Sequence, residues 1–370
     1  KAMQVLEISD QMMLFFLSEI PGFGAASIQR LYEKIKPLSR LLHIEEKELL
    51  EFEILRRDQI HALLLEQKNW LEIEERYQEL IERKIAFVTP LEASYPDKLR
   101  QIHHPPMGLY VRGQLPKEEK KSVAIVGSRD ASEYGISMAR EYAKVLAENG
   151  VQIISGLAHG VDAAAHAGAI RFGLSFGVLG CGINIAYPKE NYTLYEKMAK
   201  DGGGIISEYP LGTSPLGKNF PVRNRIISGL SDIVLVIEAR ERSGSLITVE
   251  HALEQGKEVF ALPGRVSDPM SKGCNALIFQ GASIATSPEV MMESLGILRD
   301  KKLQVQDNLQ DLLATNEKRV YSCLDLQSKF LEDIATEVNM DFGELTAILL
   351  ELELKGLVRQ VSSHYYAKNN

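Results

Sequence analysis

Apolar positions along the chain fall into three textures. Over residues 1–84 they recur at helical spacing, as at Leu14, Leu17, Ile28, Leu31 and Ile35, among many Leu, Glu, Lys and Gln residues. This predicts a small all-helical domain. Residues 85–115 hold two short β-like runs, IAFVT and LYVRG, around the segment YPDKLRQIHHPP. From 121 to 298 the runs SVAIVGS, VQIISG, SFGVLG, GGIISE, DIVLVIEA, EVFALPG and ASIAT alternate with helical patterns. Those patterns include Met138–Asn149, Asp162–Phe172, Asn191–Lys200 and Ile247–Gln255. Strands that are apolar throughout and separated by helices predict a parallel sheet covered on both faces, a doubly wound α/β fold.

Residues 299–316 are polar and read as a linker. The last unit, 317–370, shows three helical patterns and then two short β-like pieces, LVRQVS and HYYAK. Three helices followed by a hairpin predict a winged-helix-like domain. The domain plan is therefore 1–84 helical, 85–298 α/β, 299–316 linker and 317–370 winged-helix-like.

Composition narrows the function. The 370 residues are 45% hydrophobic and 25% charged, values of a folded globular chain. The net charge of −8 means that any nucleic acid must be bound by local patches, not by bulk charge. Cys181, Cys274 and Cys323 are far apart and lack CxxC spacing, so neither a disulfide framework nor a zinc knuckle is expected. The apolar run Met12–Leu17 lacks the flanks of a signal peptide, and no stretch is long enough to span a bilayer. A cytoplasmic protein with no cofactor, metal or membrane partner is expected. Charge is uneven. Tyr209–Ser231 contains no acid but holds Lys218, Arg223 and Arg225, whereas residues 291–370 carry a net −4.

The chemistry sits in the turns after the strands, which a doubly wound sheet gathers at its carboxyl edge. After the first, Gly127 permits close backbone approach, Ser128 and Ser132 offer hydroxyls at a helix start, and Arg129 offers a fork for phosphate oxygens. Gly156 and Gly160 mark a second tight turn. His159, Asp162 and His166 in that turn lack the spacing of a familiar zinc site. In the third, Lys189 and Asn191 stand at a helix start beyond Gly180-Cys181-Gly182. The segment Phe220-Pro221-Val222-Arg223-Asn224-Arg225 is the most basic local run. Arg242-Ser243-Gly244-Ser245 opens another helix and a further anion cradle, and Leu262-Pro263-Gly264-Arg265 follows the next strand. Phe220 or Tyr187 offers a ring to a base. Glu208 and Glu238, at strand ends, are placed to pair with nearby arginines. No turn supplies the residue set that hydrolysis needs. Ile20-Pro21-Gly22-Phe23-Gly24 resembles the hairpin of helix–hairpin–helix domains.

The motifs GSR at 127–129, SGLAHGVD at 155–162, GCGINIAYPKEN at 180–191, SEYP at 207–210, FPVRNRIISGLS at 220–231, SGSLIT at 243–248, ALPG at 261–264 and KGCNALIFQGA at 272–282 together resemble the DNA-processing protein A (Smf/DprA) family. The resemblance covers nearly the whole chain. It implies an extended Rossmann-like domain with a helical N-terminal domain and a winged-helix-like C-terminal domain. It also implies single-stranded DNA binding without catalysis, homodimers, and loading of the RecA recombinase during natural transformation. The family's phosphate-contacting positions correspond to Gly127, Ser128, Arg129, Lys189, Arg223, Asn224 and Arg225. The acidic tail departs from a role in binding duplex DNA.

A rival expectation is a nucleoside-monophosphate phosphoribohydrolase-like enzyme. SGSLITVE at 243–250 distantly resembles such a motif, and Glu250 would be its carboxylate. Against this, the paired glycines of that motif are absent. Finally, the run Ala276-Leu277-Ile278-Phe279 predicts a self-complementary interface involving Leu277 and Ile278.

Overall fold

The computed structural model describes residues 9–297, 315–325, 328–355 and 357–368. Its early apolar run forms α1 (Asp10–Glu19), capped by the Ser9 hydroxyl, which accepts the Met12 N–H. Met13 to Leu17 are all fully buried, so α1 is apolar on every side and sits in the interior. α2 (Ala25–Lys34), α3 (Glu46–Glu51), α4 (Arg57–Glu66) and α5 (Trp70–Glu82) contribute to the same core. Gln59 ties the α1–α2 hairpin by donating to the Gly22 carbonyl and the Ser27 hydroxyl.

The chain then alternates. β1 (Ile85–Val88), α6 (Asp97–Arg100) and β2 (Leu109–Gly113) lead to β3 (Ser122–Val126), α7 (Glu133–Glu148), β4 (Gln152–Ser155) and α8 (Val161–Ala169). β5 (Ser175–Leu179), α9 (Tyr192–Lys200), β6 (Gly204–Ser207) and α10 (Asn219–Gly229) follow. β7 (Ile233–Val236), α11 (Ser245–Glu254), β8 (Glu258–Ala261), α12 (Lys272–Phe279), β9 (Ser283–Ile284) and α13 (Pro288–Ser294) complete the unit. All seven apolar runs are strands, and β3, β4, β5, β6 and β7 are buried at every position.

The sheet order is β1-β2-β6-β5-β4-β3-β7-β8-β9. β3 to β9 pair in parallel, and the β1–β2 hairpin joins β6 antiparallel. The chain runs outward from β3 to β6 and returns to β7 on the other side of β3, in register Val123↔Ile233 to Val126↔Val236. That reversal makes β3/β7 the topological switch point, where doubly wound sheets open a crevice. The return passes through α10, which is not among the helical patterns read from the sequence.

The N-terminal helices are not insulated from the sheet. Phe15, Leu31 and Leu80 share one core with Tyr110, Leu179 and Ile205, and residues 9–295 belong to one compact unit. The other face of the sheet packs Val126, Phe176, Val178 and Val234 against Ile226 and Ile227.

The second unit holds α14 (Thr315–Cys323), β10 (Lys329–Phe330), α15 (Leu331–Val338), α16 (Phe342–Leu354), β11 (Val358–Ser362) and β12 (Tyr365–Lys368). Its strands pair antiparallel in the order β10-β12-β11, and Val320, Ile334, Leu345 and Leu349 fill its centre. This is the winged-helix arrangement. The expected linker, apart from its last two residues, lies outside the described residues.

Candidate nucleic-acid interface

The turns after β3 and β7 part at the switch point and leave a cleft of about 460 Å³. Ser128, Arg129, Asn224, Arg240, Arg242, Ser243 and Ser245 line it. The two turns are tied together from behind. The Ser128 N–H donates to the Glu238 carbonyl. The Ser132 N–H and hydroxyl both donate to the Glu238 carboxylate, at 2.8 and 2.5 Å, while the same hydroxyl caps α7 by accepting the Gly135 N–H. Glu238 is therefore buried on serine and not paired with an arginine, and the donors of Ser132 are taken up by the fold. Glu208 does pair with an arginine, Arg225.

The glycines serve packing more than ligand approach. A Cβ on Gly127 would lie 2.6 Å from the Val161 side chain, and one on Gly156 would lie within 2.7 Å of the Arg223 guanidinium. Gly160 has φ +72, and its missing Cβ would meet the Ser128 carbonyl at 2.3 Å, so the second turn is pressed beneath the first. Gly244 differs: nothing lies within 4 Å of its absent Cβ, and it opens onto the cleft.

Arg223 and Arg225 are held inside the protein, contrary to the expectation that they contact phosphate. On α10, Arg223 aligns with Ile226, Ile227 and Leu230 at spacings of three, four and seven, and all four are buried. Its guanidinium donates to the Gly156 carbonyl at 2.8 Å and to the Val178 carbonyl, and it faces Asp162. Burial lowers its pKa to about 10, against the pull of Asp162, so it is charged at neutral pH. Burial pushes the Asp162 carboxyl up, opposed by Arg223 and by the N–H groups of Gly156 and Ala158. Arg225 donates to Glu208 at 2.7 Å, the His104 carbonyl at 3.1 Å and the Val222 carbonyl at 3.2 Å. Asn191 donates to the Leu157 and Ala158 carbonyls, clamping the second turn.

The cations left at the surface are others. Arg129, Arg240 and Arg242 are exposed, and none forms an ion pair among the described residues. The Nε of Arg240 rests on the Met270 sulfur at 3.2 Å. Lys189 and Lys218 are also exposed but do not line the cleft. Arg240 is not among the expected contacts, and Arg242 is expected only as the opening residue of the Ser243–Ser245 turn. Both follow β7, and only the adjacency of β7 to β3 brings them opposite Arg129.

An aromatic step adjoins the cleft. The Arg129 guanidinium lies 5.1 Å from the Phe220 ring centre, and the Tyr187 ring lies 5.8 Å from it at a 30° tilt. Phe220 is pressed onto Gly180, whose Cβ would sit 2.8 Å from the ring. Tyr187 is 40% exposed and presents the open face.

The remaining candidates lie elsewhere. His166 is buried and shares a 2.7 Å hydrogen bond with Ser175, and burial lowers its pKa to about 3. His159 is exposed, 3.7 Å from Glu190. Cys181 is buried, and burial pushes its thiol up to about 11. Glu250 is exposed on α11 and does not line the cleft. Leu277 and Ile278 pack against the core, whereas the neighbouring Phe279 is 93% exposed.

The profile of the DNA recombination-mediator protein A family matches residues 86–296, and that of the DprA winged helix domain matches 306–363. Protein Smf of Escherichia coli is 40% identical over 277 residues, covering 73% of this chain and 74% of its own. Protein Smf of Synechocystis is 32% identical and covers 97% of this chain and 99% of its own. The crystal structure of DNA processing protein A from Streptococcus pneumoniae superposes with a TM-score of 0.66 at 32% identity, covering 76% of this chain and 95% of that one. DNA processing protein A from Helicobacter pylori superposes with a TM-score of 0.51 at 30% identity, covering 58% and 96%. Its structure is described for a unique single-stranded DNA binding mode.

Proposed function

The chain belongs to the DNA recombination-mediator protein A family, and from that premise we propose that it binds single-stranded DNA at the β3/β7 cleft and passes it to RecA recombinase during natural transformation. The observation that carries this reading is the set of three exposed guanidiniums, Arg129, Arg240 and Arg242, facing one open crevice among serine hydroxyls. Backbone phosphates fit forked donors of this kind, and their counterions are released on binding. Ser128, Asn224, Ser243, Gly244 and Ser245 add polar contacts, while Lys189 and Lys218 extend the positive surface beyond the cleft. Tyr187, backed by Phe220, offers a stacking face that accepts any base. The related Helicobacter pylori protein, described for its single-stranded DNA binding mode, supports the ligand.

RecA as the receiving partner is what the family resemblance implies, and a cytoplasmic location is the expectation from the sequence. No described helix is long and apolar enough to cross a membrane. A binding role without catalysis accords with Glu250 standing outside the cleft. A homodimer fits the exposed apolar side chains at the β9 end of the sheet, Phe279 and Ile284. Because Ile278 packs inward, Phe279→Asp is the substitution that should give a folded monomer by sedimentation.

Fluorescence anisotropy with a labelled oligo-dT and the matching duplex tests the DNA reading. Single-strand binding that weakens with salt supports it, and equal or absent binding of both forms overturns it.

A further inference from the structure

A second cavity, of about 500 Å³, meets α10 along Pro221, Val222 and Arg225. The DNA cleft meets the same helix along Phe220, Arg223 and Asn224, and the two share only Pro221 and Ile247. The second cavity is closed on its other sides by the start of α2, by His104 and Met107, by the turn after β6, and by α11. Its walls are chiefly apolar, with the flat rings of Phe23, His104, Tyr209 and His251 around them. Of the motifs, SEYP at 207–210, the start of FPVRNRIISGLS at 220–231 and Ile247 of SGSLIT reach it, whereas the turns after β3 and β4 do not.

One polar pair is set into this wall. Arg225 and Glu208 stand 2.7 Å apart, with side chains 9% and 15% exposed. Arg225 donates to Glu208 and to two carbonyls. Glu208 gives one oxygen to that bond, and its second oxygen has no hydrogen-bond partner among the described residues. Arg225 offsets the carboxylate charge, so the site does not repel an anionic nucleotide. An apolar cavity with flat walls and one oriented acceptor is the form of a site for a planar heterocycle. A free carboxylate oxygen selects a base edge that carries N–H donors. Guanine presents adjacent imino and amino N–H groups that can converge on it, whereas adenine and cytosine present one amino group beside a ring-nitrogen acceptor and thymine a single N–H between two carbonyls.

We propose that this cavity is a base-binding pocket for guanine, with Glu208 accepting the N–H groups of the base and Phe23 and Tyr209 flanking its ring. The guanine comes either from a free nucleotide or from a strand lying in the neighbouring cleft, crossing at Pro221 and Ile247. Only the second source rests on the DNA-binding reading.

The full chain is titrated calorimetrically with dGMP and with dTMP. In parallel, anisotropy compares dT20 with a dT20 carrying one central dG. Two variants are used: Val222→Trp, which fills the cavity from a half-exposed position, and Glu208→Gln, which removes the carboxylate. The wild type should favour dGMP, or the dG-bearing strand, by about tenfold. Val222→Trp should abolish that preference without weakening plain dT20, and Glu208→Gln should reduce it. A preference for dGMP alone assigns the pocket to free nucleotide, and a preference in the strand assay alone assigns it to DNA. If dT20 binds but guanine gives no preference in either assay, the pocket proposal fails and the DNA reading stands. If dGMP binds and no strand does, the DNA reading fails and the pocket stands.

Discussion

Two sets of arginines, one on α10 and one beside it in the cleft, do opposite work. Arg223 and Arg225 on α10 are buried, and their donors are aimed at Gly156, Val178, Glu208, His104 and Val222. Arg129, Arg240 and Arg242 follow β3 and β7 and point their charge into the open cleft. A guanidinium enclosed by backbone carbonyls holds loops in place. One left without an acid partner at a switch point is free for a ligand. In this sheet the basic motif with the strongest sequence signature fixes the geometry, and a scattered set of arginines uses it.

The comparison can be broken most forcefully at Arg223. Arg223→Ala should destabilise the protein by about 3–5 kcal/mol, because it strands the buried Asp162 and two carbonyls. Urea denaturation measures this, and an unchanged midpoint with weakened DNA binding would reverse the assignment. The next largest effect is expected from the triple variant Arg129→Ala, Arg240→Ala, Arg242→Ala. It should lose about a hundredfold in single-strand affinity, or roughly 2.7 kcal/mol, with its thermal midpoint unmoved. An affinity within twofold of wild type would take the cleft out of the account. Tyr187→Ala should cost about 1–3 kcal/mol of binding if its open ring stacks on a base; equal affinity for normal and abasic strands would show that it does not. The smallest change belongs to removal of the second unit. Ending the chain after Leu298 should keep affinity within about tenfold, roughly 1.4 kcal/mol. α16 carries Glu344, Glu351 and Glu353 and no Lys or Arg, and the phosphate backbone is repelled there. A folded truncation that loses more than this would give the winged helix a direct part in binding DNA.

Much of the architecture was readable from the sequence because fully buried parallel strands read as unbroken apolar runs, and each of the seven runs is a strand. Cα-level adjacency was not readable. Arg240 and Arg242 face Arg129 only because β7 pairs with β3, a neighbour distant in sequence. α10 was obscured by Pro221 and by its arginines, which suggest a loop and a surface. The available clue was the spacing of Arg223, Ile226, Ile227 and Leu230, which lies on one helical face and marks Arg223 as interior. The glycines misled for a related reason. A glycine that lets a ligand approach and one that lets Val161 or Arg223 approach look alike until the neighbouring loop is placed.

The central claim is that phosphates meet the switch-point arginines and not those of α10. The salt dependence of oligo-dT binding tests this most directly, with wild type and the triple variant measured side by side. Each lost phosphate contact should make the slope of log K against log salt less negative by about 0.7, so the variant should be shallower by about 2. A triple variant that stays folded and keeps the wild-type slope would contradict the account.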